Sequence, residues 1–236
     1  MNTAMILCAG FGTRMEGLTK DLPKPMLPID GKPLLAYTIE HLSKLGFNNI
    51  IINLHYMPKK ITDYFGDGKK FGVNIRYSYE DKPFGTAGAV KKVEAILKNE
   101  QNFLVLYGDI ICKENYCELM NFHRSKKDAV ATIVLHERDR SNSVVEMDND
   151  NKIYRFVERP TIPVIDKKQN WVNSGLYCFK TEILKHIPEK GFCDFPKDIF
   201  PGLVLSGSLY GYPLTSYRCA VDSPERYRSI KKEDLK

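Results

Sequence analysis

The apolar run from Ala4 to Ala9 closes directly on Gly10-Phe11-Gly12-Thr13-Arg14, and this join constrains the fold more than any other stretch of the chain. A continuous apolar run that ends on glycine reads as a buried strand. Gly10 and Gly12 carry no Cβ, so the backbone leaving that strand can turn tightly and come close to a bulky group. Thr13 adds a hydroxyl and Arg14 a planar cationic fork, and further on Lys24 is held between Pro23 and Pro25. Exposed backbone N–H groups with two cations suit a polyphosphate. The segment is not a Walker loop, because no Gly-Lys-Ser/Thr closes it. It also departs from the dinucleotide fingerprint at Met15, where the third glycine belongs. A Gly-x-Gly taken alone reads equally well as a structural turn.

Strand-like and helix-like segments then alternate, as parallel βαβ units require. Pro33 opens a helix and Gly46 stops it, with Leu34, Leu35, Ile39, Leu42 and Leu45 at helical spacing between them. Ile50 to Leu54 reads as a strand, Pro58 to Phe65 as a helix and Val73 to Tyr79 as an alternating strand. Thr86 to Leu97 reads as a helix that follows Gly85, and Phe103 to Tyr107 as a buried strand ending at Gly108-Asp109. Beyond residue 128 the segments Ala129–Leu135, Val144–Met147, Ile153–Val157, Val172–Phe179 and Leu209–Leu214 read as strands with little helix between them. Thr161 to Asn170, with one proline and several charges, is expected to be a mobile loop, and the stretch from Pro224 onward a polar helix.

At 236 residues the chain is expected to form one α/β domain over 1–236. A formal charge of +6 suits an anionic ligand, but the lysines are scattered. No basic run interleaves with aromatics, so nucleic-acid binding is not expected. The six cysteines contain no Cys-x-x-Cys spacing, and several sit in apolar runs. They are expected to be reduced, mostly buried thiols of a cytoplasmic protein. The start, Met1-Asn2-Thr3-Ala4, has no positive n-region, and no signal peptide or membrane span is expected.

Taken together, Gly10-x-Gly12-Thr13-Arg14, Leu18-Thr19, Pro23-Lys24-Pro25-Met26-Leu27-Pro28-Ile29 and Gly31-Lys32-Pro33-Leu34 resemble the signature of the sugar-1-phosphate nucleotidylyltransferases. The similarity continues through Asn53-Leu54-His55-Tyr56, Tyr64-Phe65-Gly66-Asp67-Gly68, Gly85-Thr86-Ala87-Gly88 and Gly108-Asp109. It resumes at Val157-Glu158-Arg159-Pro160, Asn173-Ser174-Gly175-Leu176-Tyr177 and Val221-Asp222-Ser223-Pro224-Glu225-Arg226-Tyr227. The resemblance implies a Rossmann-like mixed sheet flanked by helices, of the nucleotide-diphospho-sugar transferase type, with antiparallel additions in the C-terminal half. Residues 1–127 would form the nucleotide-binding half and 128–236 the sugar-phosphate-binding half. It also implies Mg²⁺ as cofactor and a nucleoside triphosphate and a sugar 1-phosphate as partners, and it leaves room for a homodimer.

Open α/β sheets bind ligands beyond the carboxyl ends of their strands, where the glycine loop and Asp109 both fall. On the residues alone, Asp109 reads either as a metal ligand or as a carboxylate capping a turn. Asp222 reads either as a ligand or as a helix cap, and Lys24 either as a phosphate contact or as an exposed turn lysine. The resemblance implies Asp109 and Asp222 on magnesium, Arg14 on the departing pyrophosphate, and Lys24 on the α-phosphate and the incoming sugar phosphate. It implies nucleotide binding by Leu7, Ala9, Gly10, Gly12 and Thr13, with Glu80, Gly85 and Thr86 lining the base and ribose pocket. Asn142, Glu158, Arg159, Asn173 and Gly175 would hold the sugar phosphate. Several positions depart from the family pattern. Asn142-Ser143 stands where Tyr-Gly is common, Arg159 where a lysine is usual, and Arg218 where a tryptophan is common. These differences lie on the acceptor side and leave the reaction class intact.

The short form with Pro23-Lys24-Pro25-Met26 and Phe84-Gly85-Thr86-Ala87-Gly88 looks most like the mannose- and heptose-1-phosphate guanylyltransferases. A uridylyl- or cytidylyltransferase acting on another sugar 1-phosphate is the alternative within the family. A non-catalytic regulatory subunit that binds nucleotide sugars is the alternative of another class. The presence of Arg14, Lys24, Asp109 and Asp222 favours catalysis.

Overall fold

In the computed structural model, residues 2–15, 17–138, 141, 143–162, 164, 167–231 and 233 are described. The chain starts with strand β1 (Thr3–Leu7), the glycine loop, and a small hairpin of β2 (Pro28–Ile29) and β3 (Lys32–Pro33). Helix α1 (Leu34–Lys44) leads to β4 (Asn49–Leu54), and α2 (Pro58–Phe65) leads to β5 (Asn74–Tyr79). Next come α3 (Gly85–Lys92), α4 (Glu94–Leu97), β6 (Asn102–Tyr107), β7 (Ile110–Cys112) and α5 (Tyr116–Ser125). The later part holds β8 (Ala131–Glu137), β9 (Val144–Met147), β10 (Ile153–Val157), β11 (Trp171–Lys180), α6 (Phe200–Leu205) and β12 (Leu209–Pro213), then β13 (Arg218–Ala220) and α7 (Pro224–Ser229). The expected α/β class, with parallel strands early and antiparallel strands late, is the one observed.

Two compact units make up the chain. The first comprises Met1–Pro83, Leu106–Tyr116 and Thr215–Lys236. In it β1 pairs with β4 and β4 with β5, all parallel, with Leu7 opposite Asn53 and Leu54 opposite Tyr79. Ala4, Met5, Ile6, Ile50, Ile51, Ile52 and Leu54 are all buried. Burial on both faces is the reason these strands read as unbroken apolar runs. Helix α1 ends before Gly46, whose φ of +78° is a conformation only glycine adopts without cost. A satellite core gathers Met15, Leu27, Ile29, Leu34, Tyr37, Ile111 and Val221. Met15, at the position that breaks the dinucleotide fingerprint, is thus a core residue that anchors the glycine loop. Near the end of the chain, β13 pairs antiparallel with β7.

The second unit comprises Phe84–Val105 and Cys117–Leu214. Its long strand β11 pairs antiparallel with β8, and β9 pairs antiparallel with β10. Strand β12 adds parallel to β8. The register of β11 on β8 shifts between Asn173 and Tyr177. Tyr177, Phe179, Phe195 and Phe200 form an aromatic core, with the rings of Phe179 and Phe195 stacked at 4.6 Å.

The helices depart from the sequence expectation in several places. The helix expected over Thr86–Leu97 is two helices with a break at Val93, whose ψ of +17° interrupts the α-helical backbone. Helix α5 occupies a stretch for which the sequence pattern suggests no element. Its buried residues Tyr116, Leu119, Met120 and His123 follow helical spacing, but a histidine at one core position hides the stripe. Of the expected loop over Thr161–Asn170, Pro163, Ile165 and Asp166 lie outside the described residues. At its end Lys168 N–H donates to Glu146 Oε1 at 2.7 Å, and Gln169 bonds both backbone groups of Met147. All six cysteines are free, four of them buried.

Candidate functional site

Within the first unit, β1 delivers the glycine loop. Gly108 donates its N–H to the Leu7 carbonyl at 2.9 Å. A Cβ on Gly108 would stand 2.4 Å from Cys8 Sγ, so only glycine lets the chain after β6 pass this close to the end of β1. Burial and the charge of Asp109 push the Cys8 thiol up, which keeps it protonated and inert. Gly12 has φ +67°, and a Cβ there would sit 3.1 Å from Thr19 Cγ2 and 3.3 Å from Lys24 Cβ. Its carbonyl accepts from Met15 N–H and from the Thr19 hydroxyl, at 3.0 and 3.1 Å. These bonds close a 3₁₀ turn, Thr13–Met15, on which Thr13 and Arg14 are exposed while Met15 is buried. Phe11 is also exposed, its ring edge-on to His55 at 5.0 Å. Tyr56 ties the far side of the loop by donating to the Thr19 carbonyl at 3.0 Å.

Lys24 begins a second 3₁₀ turn, Lys24–Met26, after Pro23. Its side chain is only 9% exposed, and Nζ lies 2.6 Å from Asp109 Oδ2. It is therefore not an exposed turn lysine. Val221 N–H donates to the Asp109 carbonyl at 2.8 Å, continuing the ladder that pairs Arg218 with Cys112 and Ala220 with Ile110. Asp222 thus follows the residue bonded to the Asp109 backbone. The start of that strand is pinned by Glu114, a buried carboxylate that accepts from Thr215 N–H at 2.9 Å and from the Ser216 hydroxyl at 3.2 Å.

Asp222 does not cap the following helix, because Ser223 does: its hydroxyl accepts from Arg226 N–H at 3.2 Å. The Asp222 carboxylate instead pairs with Arg226 Nη1 at 3.2 Å. Burial pushes the Arg218 guanidinium down, and the Cys112 thiol and the Asp109 carboxylate pull it back up. Lys24 thus pairs with Asp109 and Arg226 with Asp222, and the Arg218 guanidinium lies within electrostatic reach of Asp109. Asp109 and Asp222 are also hard anionic oxygen donors. Mg²⁺ is commonly held by one or two carboxylates together with substrate phosphates and water, and this pair fits that ion. Among the described residues no group of three or more His, Cys, Asp or Glu could hold a metal.

Glu80 follows β5 and is buried. Its Oε1 accepts from Asn53 Nδ2 at 2.8 Å, and Asn53 Oδ1 accepts from Cys8 N–H at 2.8 Å. The Glu80 backbone N–H donates to the Leu54 carbonyl at 2.8 Å, and its carbonyl meets His55 Nδ1 at 2.7 Å. Sequence reasoning misses Asn53. The available signal is a lone amide in the otherwise apolar strand Ile50-Ile51-Ile52-Asn53-Leu54.

In the second unit Gly85 starts α3 with φ +78°, and a Cβ there would lie 2.4 Å from the Cys193 carbonyl. That carbonyl accepts from the N–H groups of Ala87 and Gly88. The Thr86 hydroxyl donates to Asp194 Oδ1 at 2.5 Å and accepts from Phe195 N–H at 2.8 Å. The segment 193–195 thus covers the first turn of α3, and Asp194 is a second residue that sequence reasoning misses. Burial raises the Glu158 carboxyl from its ordinary value, against the pull of Arg159, with Asp194 adding to the rise. Arg159 Nε lies 3.2 Å from Glu158 Oε1, while most of its own side chain is exposed. It adopts φ +46°, rare for a residue with a side chain, and its N–H donates to the Ser143 hydroxyl at 3.0 Å. Asn173 and Gly175 occupy the bulge of β11. Gly175 N–H donates to Asn173 Oδ1 at 3.0 Å, and Asn173 Nδ2 donates to the Tyr177 hydroxyl at 2.9 Å. Bulges of this kind re-aim side chains beside binding sites. Asn142 lies outside the described residues.

A glycine loop fed by a parallel strand, with a buried lysine paired to an aspartate beside it, defines the class of phosphate-handling α/β proteins. The chain belongs to the nucleotidyl transferase family, whose model matches residues 3–217. It is 36% identical over 218 residues to a UTP–glucose-1-phosphate uridylyltransferase of Synechocystis sp., covering 86% of this chain and 55% of that protein. It is 33% identical over 229 residues to the mannose-1-phosphate guanylyltransferase catalytic subunit beta of Dictyostelium discoideum, covering 96% of this chain and 62% of that one. The chain therefore spans between half and two thirds of the length of these curated relatives. Among solved structures it resembles HddC from Yersinia pseudotuberculosis, at TM-score 0.80 and 27% identity over 97% of both chains. The same protein has been solved in complex with GMP-PN.

Proposed function

We propose that this chain transfers a nucleotidyl group from a nucleoside triphosphate, GTP in preference, to a sugar 1-phosphate of mannose or heptose type, releasing pyrophosphate. The observation that carries this reading is the buried Lys24 ammonium 2.6 Å from Asp109, with Asp222 following the residue whose N–H bonds the Asp109 carbonyl. In-line attack by a phosphate oxygen on the α-phosphorus brings two anions together. The protein's work is charge neutralisation and alignment.

In this reading the loop Leu7, Ala9, Gly10, Gly12 and Thr13 binds the triphosphate through its backbone, and Arg14 neutralises the departing pyrophosphate. Lys24, held in place by Asp109, contacts the α-phosphate and the incoming sugar phosphate. Asp109 and Asp222 would hold Mg²⁺, which when bound neutralises phosphate oxygens. Glu80 meets the base, and Gly85 and Thr86 line its pocket. Asn142, Glu158, Arg159, Asn173 and Gly175 hold the sugar phosphate, with Arg159 able to grip it in bidentate fashion. The Dictyostelium relative and the GMP-PN complex of HddC support guanine. The Synechocystis relative supports a second reading, uridylyl transfer to glucose 1-phosphate. No helix among the described residues is long and apolar enough to cross a membrane, and we place the reaction in the cytoplasm.

The test is a panel of GTP, UTP, CTP and ATP against mannose, heptose, glucose and N-acylated sugar 1-phosphates, read by pyrophosphate release with Mg²⁺ present. GTP with a mannose- or heptose-type acceptor should lead. Pyrophosphate release from no pair would overturn the proposal, and a lead for UTP with glucose 1-phosphate would establish the second reading.

A further inference from the structure

Asn53 is buried at the end of β4, and both ends of its amide are committed. The Cys8 backbone N–H can only donate, so the oxygen of the amide must face it, at 2.8 Å. The NH₂ end is thereby turned to Glu80, where it can only donate, and it meets Oε1 at 2.8 Å. The partner atom on residue 80 must therefore be an acceptor. Main-chain bonds from Glu80 N–H to Leu54 and from its carbonyl to His55 fix the backbone at this point, so the side chain cannot swing away as a unit.

We infer that Asn53 is a positioning residue that fixes which end of the residue-80 side chain meets the nucleobase. The inference rests on the proposal that Glu80 contacts the base. With glutamate at position 80, the oxygen that Asn53 does not take is also an acceptor, matched to the N1–H and N2–H donors of guanine. With glutamine, Asn53 would claim the amide oxygen and turn the NH₂ group toward the base. That group suits a base that offers acceptors, such as uracil. The order of polarity runs from the Cys8 N–H, at the root of the glycine loop, through Asn53 to residue 80. Through Asn53, the Cys8 backbone donor thus fixes which end of residue 80 is turned to the base.

This chain of polarity can be reversed without changing net charge. In Asn53→Asp combined with Glu80→Gln, the carboxylate introduced at position 53 would accept both from Cys8 N–H and from the NH₂ group introduced at position 80. The amide oxygen at position 80 would then turn to the base. We would measure kcat/KM for GTP and for UTP, nucleotide binding by calorimetry, and thermal midpoints in the wild type, Glu80→Gln, Asn53→Ser and the double variant. Glu80→Gln should lower the GTP:UTP ratio about tenfold or more. The double variant should recover most of that ratio. Asn53→Ser, which removes the tether while keeping Glu80, should lower the ratio several-fold. A purely structural Asn53 would change stability and both nucleotides alike, leaving the ratio where it was. A double variant no more GTP-selective than Glu80→Gln overturns the inference while the base contact stands. Should the double variant fail to fold, a wild-type ratio in Asn53→Ser overturns it equally. Equal losses of GTP and UTP in Glu80→Gln overturn the base contact itself, and the inference with it.

Discussion

Replacing Lys24 with methionine preserves a long apolar stem in a side chain that is only 9% exposed, and it deletes the ammonium 2.6 Å from Asp109. Two consequences separate. In the folded protein Asp109 loses its partner, but that carboxylate is 29% exposed and water can replace much of the lost interaction. Breaking a fully buried pair costs about 3–5 kcal/mol and an exposed pair less than about 1, which places this loss at about 1–2 kcal/mol. In the transition state the loss is larger, because in the proposed reaction the ammonium faces charge developing on a reacting phosphate. Removing one such donor costs about 3 kcal/mol, or ~100-fold in turnover. Pyrophosphate release at saturating substrates measures the second consequence, and urea unfolding measures the first. We expect a folded variant with turnover reduced about 100-fold. A folded variant with near-normal turnover would refute the placement of Lys24 on the reacting phosphates.

Asp109→Asn and Asp222→Asn should each abolish magnesium-dependent release of pyrophosphate, since each removes an anionic oxygen from a hard cation with few protein ligands; a magnesium titration of Asp222→Asn that matches the wild type would leave Asp222 as a partner of Arg226 only. His123 is fully buried, and burial, with Lys180 and Arg124 adding to it, pushes its pKa from 6.5 to about 4. The unfolded chain takes up this proton first on acidification, so stability is intact above pH 6.5 and falls as pH drops toward 4. The loss is up to about 3 kcal/mol, and urea unfolding at about pH 7 and about pH 4.5 should show it in the wild type and much less of it in His123→Asn. Glucose 1-phosphate should be at least about tenfold poorer as acceptor than mannose, heptose or N-acylated sugar 1-phosphates, because one hydrogen bond lost to a buried partner costs about 1–3 kcal/mol; steady-state kinetics that favour glucose 1-phosphate would contradict this.

The parts of the fold that are legible in the sequence are those with local causes. β1, β4 and β6 are buried on both faces and announce themselves as apolar runs, and α1 is punctuated by Pro33 and Gly46. Helix α5 is hidden because His123 holds a core position. Strands β7 and β13, of three residues each, are too short to show a period, although their pairing brings Asp222 beside the Asp109 backbone. The glycine loop and Lys24 are visible as a motif, but that Lys24 meets a carboxylate 85 residues away is a property of the folded chain. The same holds for Thr86 and Asp194, 108 residues apart, since no local pattern marks an aspartate that will bond a distant threonine. Asn53 lies between these cases. Its polarity stands out in an apolar strand, while its bonds to Cys8 and Glu80 depend on the parallel register of β1, β4 and β5.

In the proposed reaction a sugar phosphate, and not water, attacks the α-phosphorus. Incubating the protein with GTP, mannose 1-phosphate and Mg²⁺ in ¹⁸O-labelled water, followed by ³¹P NMR and mass spectrometry, tests this most directly. We expect a GDP-sugar and pyrophosphate in equal amounts, neither carrying ¹⁸O from solvent, with no product when the sugar phosphate is omitted. GMP carrying one solvent oxygen, formed at the same rate with or without the sugar phosphate, would contradict it.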